Sequence, residues 1–206
     1  MGDVYYGERG FNVSMRATLT LRLLAPAVFL LSIPSMYGQA MYAQRFGDPN
    51  IIAPDFPSPQ EVIERMLQLA KVRPGETVYD LGSGEGRIVI TAARQFKARA
   101  VGVELSPELC RVANGRVKAL GLEGQVKIVH ANMLKVDLRP ADVVTIYLLT
   151  SANDLLRPNL ERDLRPGARV VSHDFEIRGW KPAAVEQVEA EGRPRTIYLY
   201  QMGTEK

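Results

Sequence analysis

The stretch Thr77-Val-Tyr-Asp-Leu-Gly-Ser-Gly-Glu-Gly-Arg-Ile88 decides the fold of this chain of 206 residues. It begins with a short, mostly apolar run, which is the pattern of a buried parallel strand. A glycine-rich turn follows, and from Arg87 the apolar residues take a helical spacing. A strand, a glycine turn and a helix in this order predict the first βα unit of a nucleotide-type fold. Glycine lets the backbone turn tightly there and approach a ligand closely.

Two carboxylates flank this turn. Asp80 comes two residues before the first glycine, and Glu104 ends the next apolar run along the chain. The third glycine, Gly86, comes too early for a dinucleotide fingerprint, and a carboxylate would repel the pyrophosphate that such a turn binds. S-adenosylmethionine (SAM) carries a sulfonium and an ammonium and no phosphate, so an acidic rim suits it. We therefore predict SAM as the cofactor, with Glu104 accepting hydrogen bonds from its ribose hydroxyls; a plain tight turn is the alternative.

The sequence Asp80-Leu-Gly-Ser-Gly-Glu-Gly-Arg87 resembles motif I of the class I SAM-dependent methyltransferases, and the order of elements extends the resemblance from about Ser58 to Met202. It implies an α/β, Rossmann-like fold with a mostly parallel seven-stranded sheet and a C-terminal antiparallel hairpin. Asn132 stands where this family usually has an aspartate that accepts a hydrogen bond from the adenine amino group, and its side-chain carbonyl can still accept one. The cofactor-binding residues that we predict are Asp80, Gly82, Ser83, Gly84, Gly86, Glu104 and Asn132.

Four stretches, residues 56–62, 78–84, 144–149 and 170–175, resemble small bacterial methyltransferases related to the family that methylates lysine in the c-subunit of ATP synthase. This resemblance implies a protein-lysine N-methyltransferase with a protein substrate. A methyltransferase acting on a small-molecule acceptor and a non-catalytic SAM-binding protein are the alternatives. The chain has 26 Lys and Arg against 23 Asp and Glu and no basic cluster, which argues against a nucleic-acid partner.

Tyr147 and His173 are the candidate catalytic residues. They lie near the ends of two further predicted strands, residues 141–149 and 169–175, and the carboxyl ends of such strands face the ligand in an open α/β sheet. Tyr147 is predicted to shape the substrate channel or to accept a hydrogen bond from an incoming amine. His173 is predicted to take a proton or to orient the nucleophile. A buried core tyrosine and a structural histidine are the alternatives. Two histidines and one cysteine without metal-ligand spacing predict no metal site.

Composition divides the chain into three parts: an N-terminal extension over 1–43, a proline-rich linker or lid over 44–57, and the methyltransferase domain over 58–206. The third part has ~150 residues, which is enough for one domain with a single core. In the resembled family the segment before the first helix folds over the SAM site. This implies a lid, and a plain linker is the alternative.

The N-terminal extension has the layout of a secretory signal peptide. A basic segment precedes an apolar run over 23–33, and small residues follow at 38–40. An uncleaved membrane anchor, with membrane association through residues 19–43, is the second interpretation, and a buried core helix is the third. The chain is thus predicted to be exported or membrane-anchored, although SAM is made in the cytoplasm.

Local signals predict where individual helices begin. Ser58 and Glu61 have the spacing of a capping box, and Ser106 is predicted to cap a helix that has Pro107 in its first position. Asn153 is predicted to begin the helix after the fourth strand, either as its cap or as a substrate contact.

The C-terminal region is predicted to close the sheet with a hairpin, residues 185–190 and 196–202. The chain between the fifth and sixth strands is too short for the usual helix. Trp180 lies in this connection, where it is predicted either to line the pocket or to pack.

Overall fold

The computed structural model describes residues 57–203. The extension over 1–43 and all but the last residue of the linker over 44–57 lie outside the described residues. The helices are α1 (Gln60–Leu69), α2 (Arg87–Phe96), α3 (Pro107–Ala119), α4 (Thr150–Asp163) and a short 3₁₀ helix (Met133–Lys135). The strands are β1 (Thr77–Leu81), β2 (Arg99–Glu104), β3 (Val126–His130), β4 (Val143–Ile146), β5 (Arg169–His173), β6 (Ala184–Ala190) and β7 (Arg193–Gln201). None of the helices within 57–203 has the length and apolar character needed to cross a membrane.

The seven strands form one sheet in the order β3-β2-β1-β4-β5-β7-β6. The first five strands pair in parallel, and β7 is antiparallel to both β5 and β6. This confirms the predicted mostly parallel sheet with a C-terminal antiparallel hairpin. The strand order reverses direction between β1 and β4, and ligands bind at such a switch point, beyond the carboxyl ends of the strands.

Helices cover both faces of the sheet because successive side chains of each buried strand point to opposite faces. Val78 and Val143 pack with α1, α2 and α3 in one apolar cluster. Their neighbours Tyr79 and Val144 pack with α4 in the other. Both faces of the central strands are therefore buried, which explains why these strands are nearly continuous apolar runs.

The start of α1 differs from the prediction. Pro59 is the N-cap residue, and no side chain caps the helix. The Ser58 hydroxyl instead lies 2.9 Å from Nδ1 of His173. The capping-box prediction was wrong because a buried long-range partner takes the hydroxyl that the motif assigns to the helix. The cap at Ser106 is confirmed, since its Oγ accepts a hydrogen bond from the Leu109 backbone N–H at 3.3 Å.

Helix α4 begins at Thr150, three residues before the predicted start. Asn153 is therefore inside the helix, is fully buried, and does not cap it. Its Nδ2 donates to the backbone carbonyls of Phe175 and Glu176, both at 3.2 Å. Asn153 thus fixes the loop that follows β5.

The connection from β5 to β6 runs over residues 174–183 without a helix, as predicted. Trp180 packs edge-on against Tyr200, with ring centroids 5.6 Å apart, and its Nε1 donates to Glu161 of α4 at 2.8 Å. These contacts favour packing over pocket lining for Trp180.

Candidate active site

The glycine turn follows β1 at the switch point of the sheet. Gly82, Gly84 and Gly86 have backbone φ angles of 82°, 52° and 80°, which residues with a Cβ rarely adopt. The N–H groups of Gly82 and Ser83 both donate to the Val103 carbonyl of β2, at 2.8 and 3.0 Å. The turn is therefore fixed to the end of the neighbouring strand.

Glu104 ends β2 beside this turn. Its two carboxylate oxygens accept hydrogen bonds from the backbone N–H groups of Gly84, at 2.9 Å, and Ser106, at 2.8 Å. The carboxylate thereby joins the glycine turn to the start of α3. Each oxygen keeps a lone pair that can accept a further bond.

Asp80 lies in β1, two residues before the turn, and its side chain is buried. One of its oxygens accepts a hydrogen bond from the Thr145 hydroxyl of β4 at 2.8 Å. Burial raises the pKa of Asp80 to about 7, the Thr145 hydrogen bond opposes this, and the nearby charge of Glu104 adds to it. A cation bound beside Asp80 would restore the charged form, because opposite charge favours ionisation.

These groups fit SAM and do not fit a phosphate. Asp80 and Glu104 offer negative charge where a pyrophosphate would need positive charge, and Ser83 Oγ is buried with no hydrogen-bond partner within residues 57–203. Asn132, the remaining predicted contact, follows β3, where its Oδ1 accepts from the Leu134 N–H at 2.9 Å and caps the 3₁₀ helix. A sulfonium, an ammonium and ribose hydroxyls match this set of acceptors.

Tyr147 and His173 come together at the ends of β4 and β5. Their rings stack with centroids 3.9 Å apart and planes inclined by 28°. His173 is fully buried. Burial lowers the pKa of His173 to about 4; the carboxylate of Asp174 opposes this shift, while the charges of Arg195 and Arg193 add to it. His173 is therefore neutral at pH 7.

Arg195 of β7 completes this cluster, and the sequence analysis missed it. Its side chain is 7% exposed. Its Nη1 donates to the Tyr147 hydroxyl at 3.2 Å and to Asp174 Oδ2 at 2.7 Å. One signal was present in the sequence: Arg195 shares the period-2 register of Ile197, an inward-facing position of β7.

Asp174 directly follows β5 in a left-handed backbone conformation, with φ of 59°. Its Oδ1 accepts from the Thr196 N–H at 2.9 Å, and its own N–H donates to the Thr196 carbonyl at 2.7 Å. Backbone strain of this kind is common at functional sites. The edge of the sheet thus carries an acidic glycine turn at β1 and β2, the candidate cofactor cradle, with an aromatic and charged cluster beside it at β4, β5 and β7.

A seven-stranded sheet of this order, with an acidic glycine turn at its switch point, defines a class I SAM-dependent methyltransferase. More narrowly, the chain belongs to the ANTKMT methyltransferase domain family, whose family model matches residues 80–184. SAM is its cofactor, and methyl transfer is its activity.

Three similar proteins support this assignment. A protein-lysine N-methyltransferase of Saccharolobus islandicus is 49% identical over 74% of this chain and 96% of its own length. The lysine N-methyltransferase of Mus musculus that acts on the c-subunit of ATP synthase is 31% identical over 76% of this chain and 61% of its own length, which confirms the predicted resemblance. A solved structure, described as an RNA methyltransferase from Salinibacter ruber in complex with S-adenosyl-L-homocysteine, is 43% identical, with a TM-score of 0.68 over 73% of this chain and 96% of that one.

Proposed function

We propose that this protein is a protein-lysine N-methyltransferase. The observation that carries the proposal is the 49% identity to a protein-lysine N-methyltransferase over 96% of that protein's length. The site is compatible with it, because His173 beside Tyr147 is neutral and the buried charge of Arg195 is balanced by Asp174. An amine reacts with the methyl donor only when it is neutral. A site without net charge around Tyr147 does not require the amine to be an ammonium.

The proposed mechanism is an in-line displacement. SAM supplies an electrophilic methyl group on a sulfonium, and its transfer leaves a neutral thioether. Asp80, Glu104 and the glycine turn hold the cofactor, and Tyr147 accepts a hydrogen bond from the acceptor amine. Alignment of the two reactants provides most of the acceleration in a reaction of this kind. No strong acid or base is needed at the reacting carbon.

The lysine ammonium, with an ordinary pKa of about 10.4, must lose a proton before it reacts. His173 is neutral, but its low pKa makes it a weak base, and its Nδ1 is already bonded to Ser58. We therefore propose that the proton leaves to solvent, and that His173 holds the ring of Tyr147 in place.

A labelling experiment tests the proposed acceptor. The purified chain is incubated with methyl-labelled SAM and with soluble and membrane fractions of the source cells, and the labelled protein is digested for mass spectrometry. Methyl-lysine in one protein band is the expected result, and Gly84→Val, which places a branched side chain at a positive φ, is the inactive control. Label only in a solvent-soluble product would favour a small-molecule acceptor. Binding of SAM without transfer would favour a non-catalytic protein.

RNA is a second candidate acceptor. A 43%-identical solved structure is described as an RNA methyltransferase. In addition, a cleft of about 630 Å³ between the start of α1 and helices α2 and α3 is lined by Arg87 and Arg94, and by Arg116, which is paired with Glu85. Phosphates bind such side chains. Ribonuclease treatment of the labelled fractions separates the two acceptors, because label on RNA would then be lost.

We also propose the domain division at residue 58. For the extension over 1–43 we propose, of the three interpretations, the cleaved signal peptide first and the uncleaved membrane anchor second. A SAM-dependent enzyme that is exported would need SAM outside the cytoplasm. Mass spectrometry of the protein from its source cells distinguishes the two: a start near Met41 means a cleaved signal peptide, and a start at Met1 or Met15 means an uncleaved anchor.

A further inference from the structure

Arg195 is a buried cation that has no role in the methyl-transfer mechanism proposed above. Removing a guanidinium from water is costly unless it is paired and hydrogen-bonded. Asp174 supplies the counter-charge at 2.7 Å, and Glu191 lies 3.8 Å away with most of its side chain exposed. The Arg195–Asp174 pair alone would account for the burial. The contact that it does not explain is the second hydrogen bond of Nη1, to the hydroxyl of Tyr147.

That hydrogen bond determines how the Tyr147 hydroxyl can behave. A guanidinium only donates, so the Tyr147 oxygen accepts from it and keeps its second lone pair and its own proton for other partners. The ring of Tyr147 cannot swing away, because it stacks on His173 with centroids 3.9 Å apart and lies 6.1 Å from the ring of Phe175. Ring and hydroxyl are thus both fixed at the end of β4.

The cluster also contains polar atoms that its own residues leave unsatisfied. Nε2 of His173 lies 3.4 Å from Oδ2 of Asp174 without forming a hydrogen bond, and Nε of Arg195 is buried without a hydrogen-bond partner within residues 57–203. Buried polar atoms are nearly always satisfied in native proteins, so each exception needs an explanation. Nε of Arg169, in an ion pair away from this cluster, is unsatisfied in the same way, so the inference rests on the hydrogen bond from Arg195 to Tyr147 and not on these atoms.

We propose that Arg195 is a positioning residue: held by Asp174, it fixes the Tyr147 hydroxyl so that one lone pair receives an N–H of the neutral acceptor amine. The nitrogen lone pair is then free to face the methyl donor. The amine is oriented by the hydroxyl, and the guanidinium acts only through Tyr147. This inference rests on the proposed function, because it requires an acceptor with an N–H group.

A double-mutant cycle on methyl transfer to the labelled protein tests the inference. Tyr147→Phe removes the hydroxyl. Arg195→Met with Asp174→Asn removes both charges together, so that neither is left buried and unpaired. Each change is expected to lower kcat about tenfold, the effect of one hydrogen bond, with the Kd for SAM unchanged. Combining all three substitutions is expected to cause no further loss, because the Arg195 effect passes through the Tyr147 hydroxyl.

The matched control removes a second ion pair, located at the start of β5, whereas Asp174 directly follows the end of that strand. Arg169, at the start of β5, pairs with Glu76 at 2.7 Å, and both side chains are largely buried. Arg169→Met with Glu76→Gln is expected to lower the melting temperature and leave kcat unchanged. Equal kcat losses in both pair variants would show that stability, not positioning, is what changes, and would overturn the proposal.

Two further outcomes would also overturn it: full kcat in the Arg195 and Asp174 variant, or losses that multiply to about a hundredfold in the combined variant, as independent effects would. If that variant does not fold, Arg195→Lys keeps the charge but lacks the planar fork; it is expected to lower kcat, and an unchanged kcat would contradict the inference. If the wild-type chain labels no protein lysine, the proposed function fails. The same cycle on whichever acceptor is labelled still decides the role of Arg195.

Discussion

At the residue scale, the raised pKa of Asp80 conflicts with the negative charge that a bound SAM cation would require of it. Burial holds its pKa near 7 in the protein without cofactor, and Glu104 contributes to this shift. A cationic ligand requires the charged carboxylate. Below pH 7, binding must therefore displace a proton from Asp80, and above pH 7 it need not.

The first prediction is that SAM affinity rises from pH 6 to pH 8 and then levels off. At pH 7 about half a proton should be released per SAM bound, since a group titrates halfway at its pKa. Isothermal titration calorimetry in two buffers of different ionisation enthalpy measures both quantities. Asp80→Asn should bind more weakly and lose the pH dependence that is specific to the carboxylate. A wild-type affinity that stays flat from pH 6 to pH 8 would refute the charged role of Asp80.

The second prediction concerns Gly102, which lies in β2 beneath the glycine turn. A Cβ at this position would lie 2.6 Å from Ser83 Oγ and 3.0 Å from Ile128 Cδ1. Gly102→Ala must therefore push Ser83 and the turn outward, at a cost of about 1–3 kcal/mol for overpacking. We expect at least a tenfold loss of SAM affinity in calorimetry with the fold retained by circular dichroism. Gly124→Ala, where a Cβ meets nothing within 4 Å, is the control and should bind normally.

At the element scale, β1, the glycine turn and α2 could be predicted from the sequence because local chemistry determines them. The apolar run, the glycines and the helical spacing all lie within residues 77–96. The helix starts were less predictable where distant partners compete. Ser58 bonds to His173, 115 positions away, and no local pattern reveals such a contact.

The same distinction separates the two parts of the site. Asp80 and Glu104 are predictable because each lies at a fixed place in a recognisable βα unit. Arg195 comes from the far end of the chain and meets Tyr147 only because β7 pairs with β5 in antiparallel register. Sequence reasoning proposed Asp80 and Glu104 for the cofactor and Tyr147 and His173 for the acceptor, and it missed Arg195, which contacts Tyr147.

The third prediction compares two glycines with different backbone conformations. Gly115 lies inside α3, and Gly121 follows its C-terminal end. A Cβ at either Gly115 or Gly121 would meet nothing within 4 Å, but Gly121 has a φ of 65°. Gly115→Ala should raise the free energy of unfolding by about 0.5–1 kcal/mol, because glycine in a helix interior costs that much relative to alanine. Gly121→Ala should lower it, because alanine is strained at positive φ. Urea denaturation checks both signs: a decrease for Gly115→Ala would contradict its helical conformation, and an increase for Gly121→Ala would contradict its positive φ.

At the scale of the whole molecule, the two shifted groups of the site influence stability in opposite directions. His173 has a pKa of about 4 in the folded chain against an ordinary 6.5, so between these values only the unfolded chain binds its proton. Stability from His173 therefore rises with pH in that window. Asp80 has a folded pKa of about 7 against an ordinary 3.8, so only the folded chain is protonated there, and its contribution falls as pH rises.

The last prediction is that these two slopes cancel between pH 5 and pH 6.5. One proton corresponds to about 1.4 kcal/mol per pH unit, with a positive sign for His173 and a negative sign for Asp80. The free energy of unfolding of the cofactor-free wild type should therefore be nearly flat in this window. Asp80→Asn should leave the rising slope of His173, and His173→Gln should leave the falling slope of Asp80. Urea denaturation at several pH values measures all three curves, and parallel curves would mean that neither group titrates as its burial requires. Addition of SAM should tilt the wild-type curve upward with pH, because the cofactor ionises Asp80 and leaves the rising slope of His173 uncompensated.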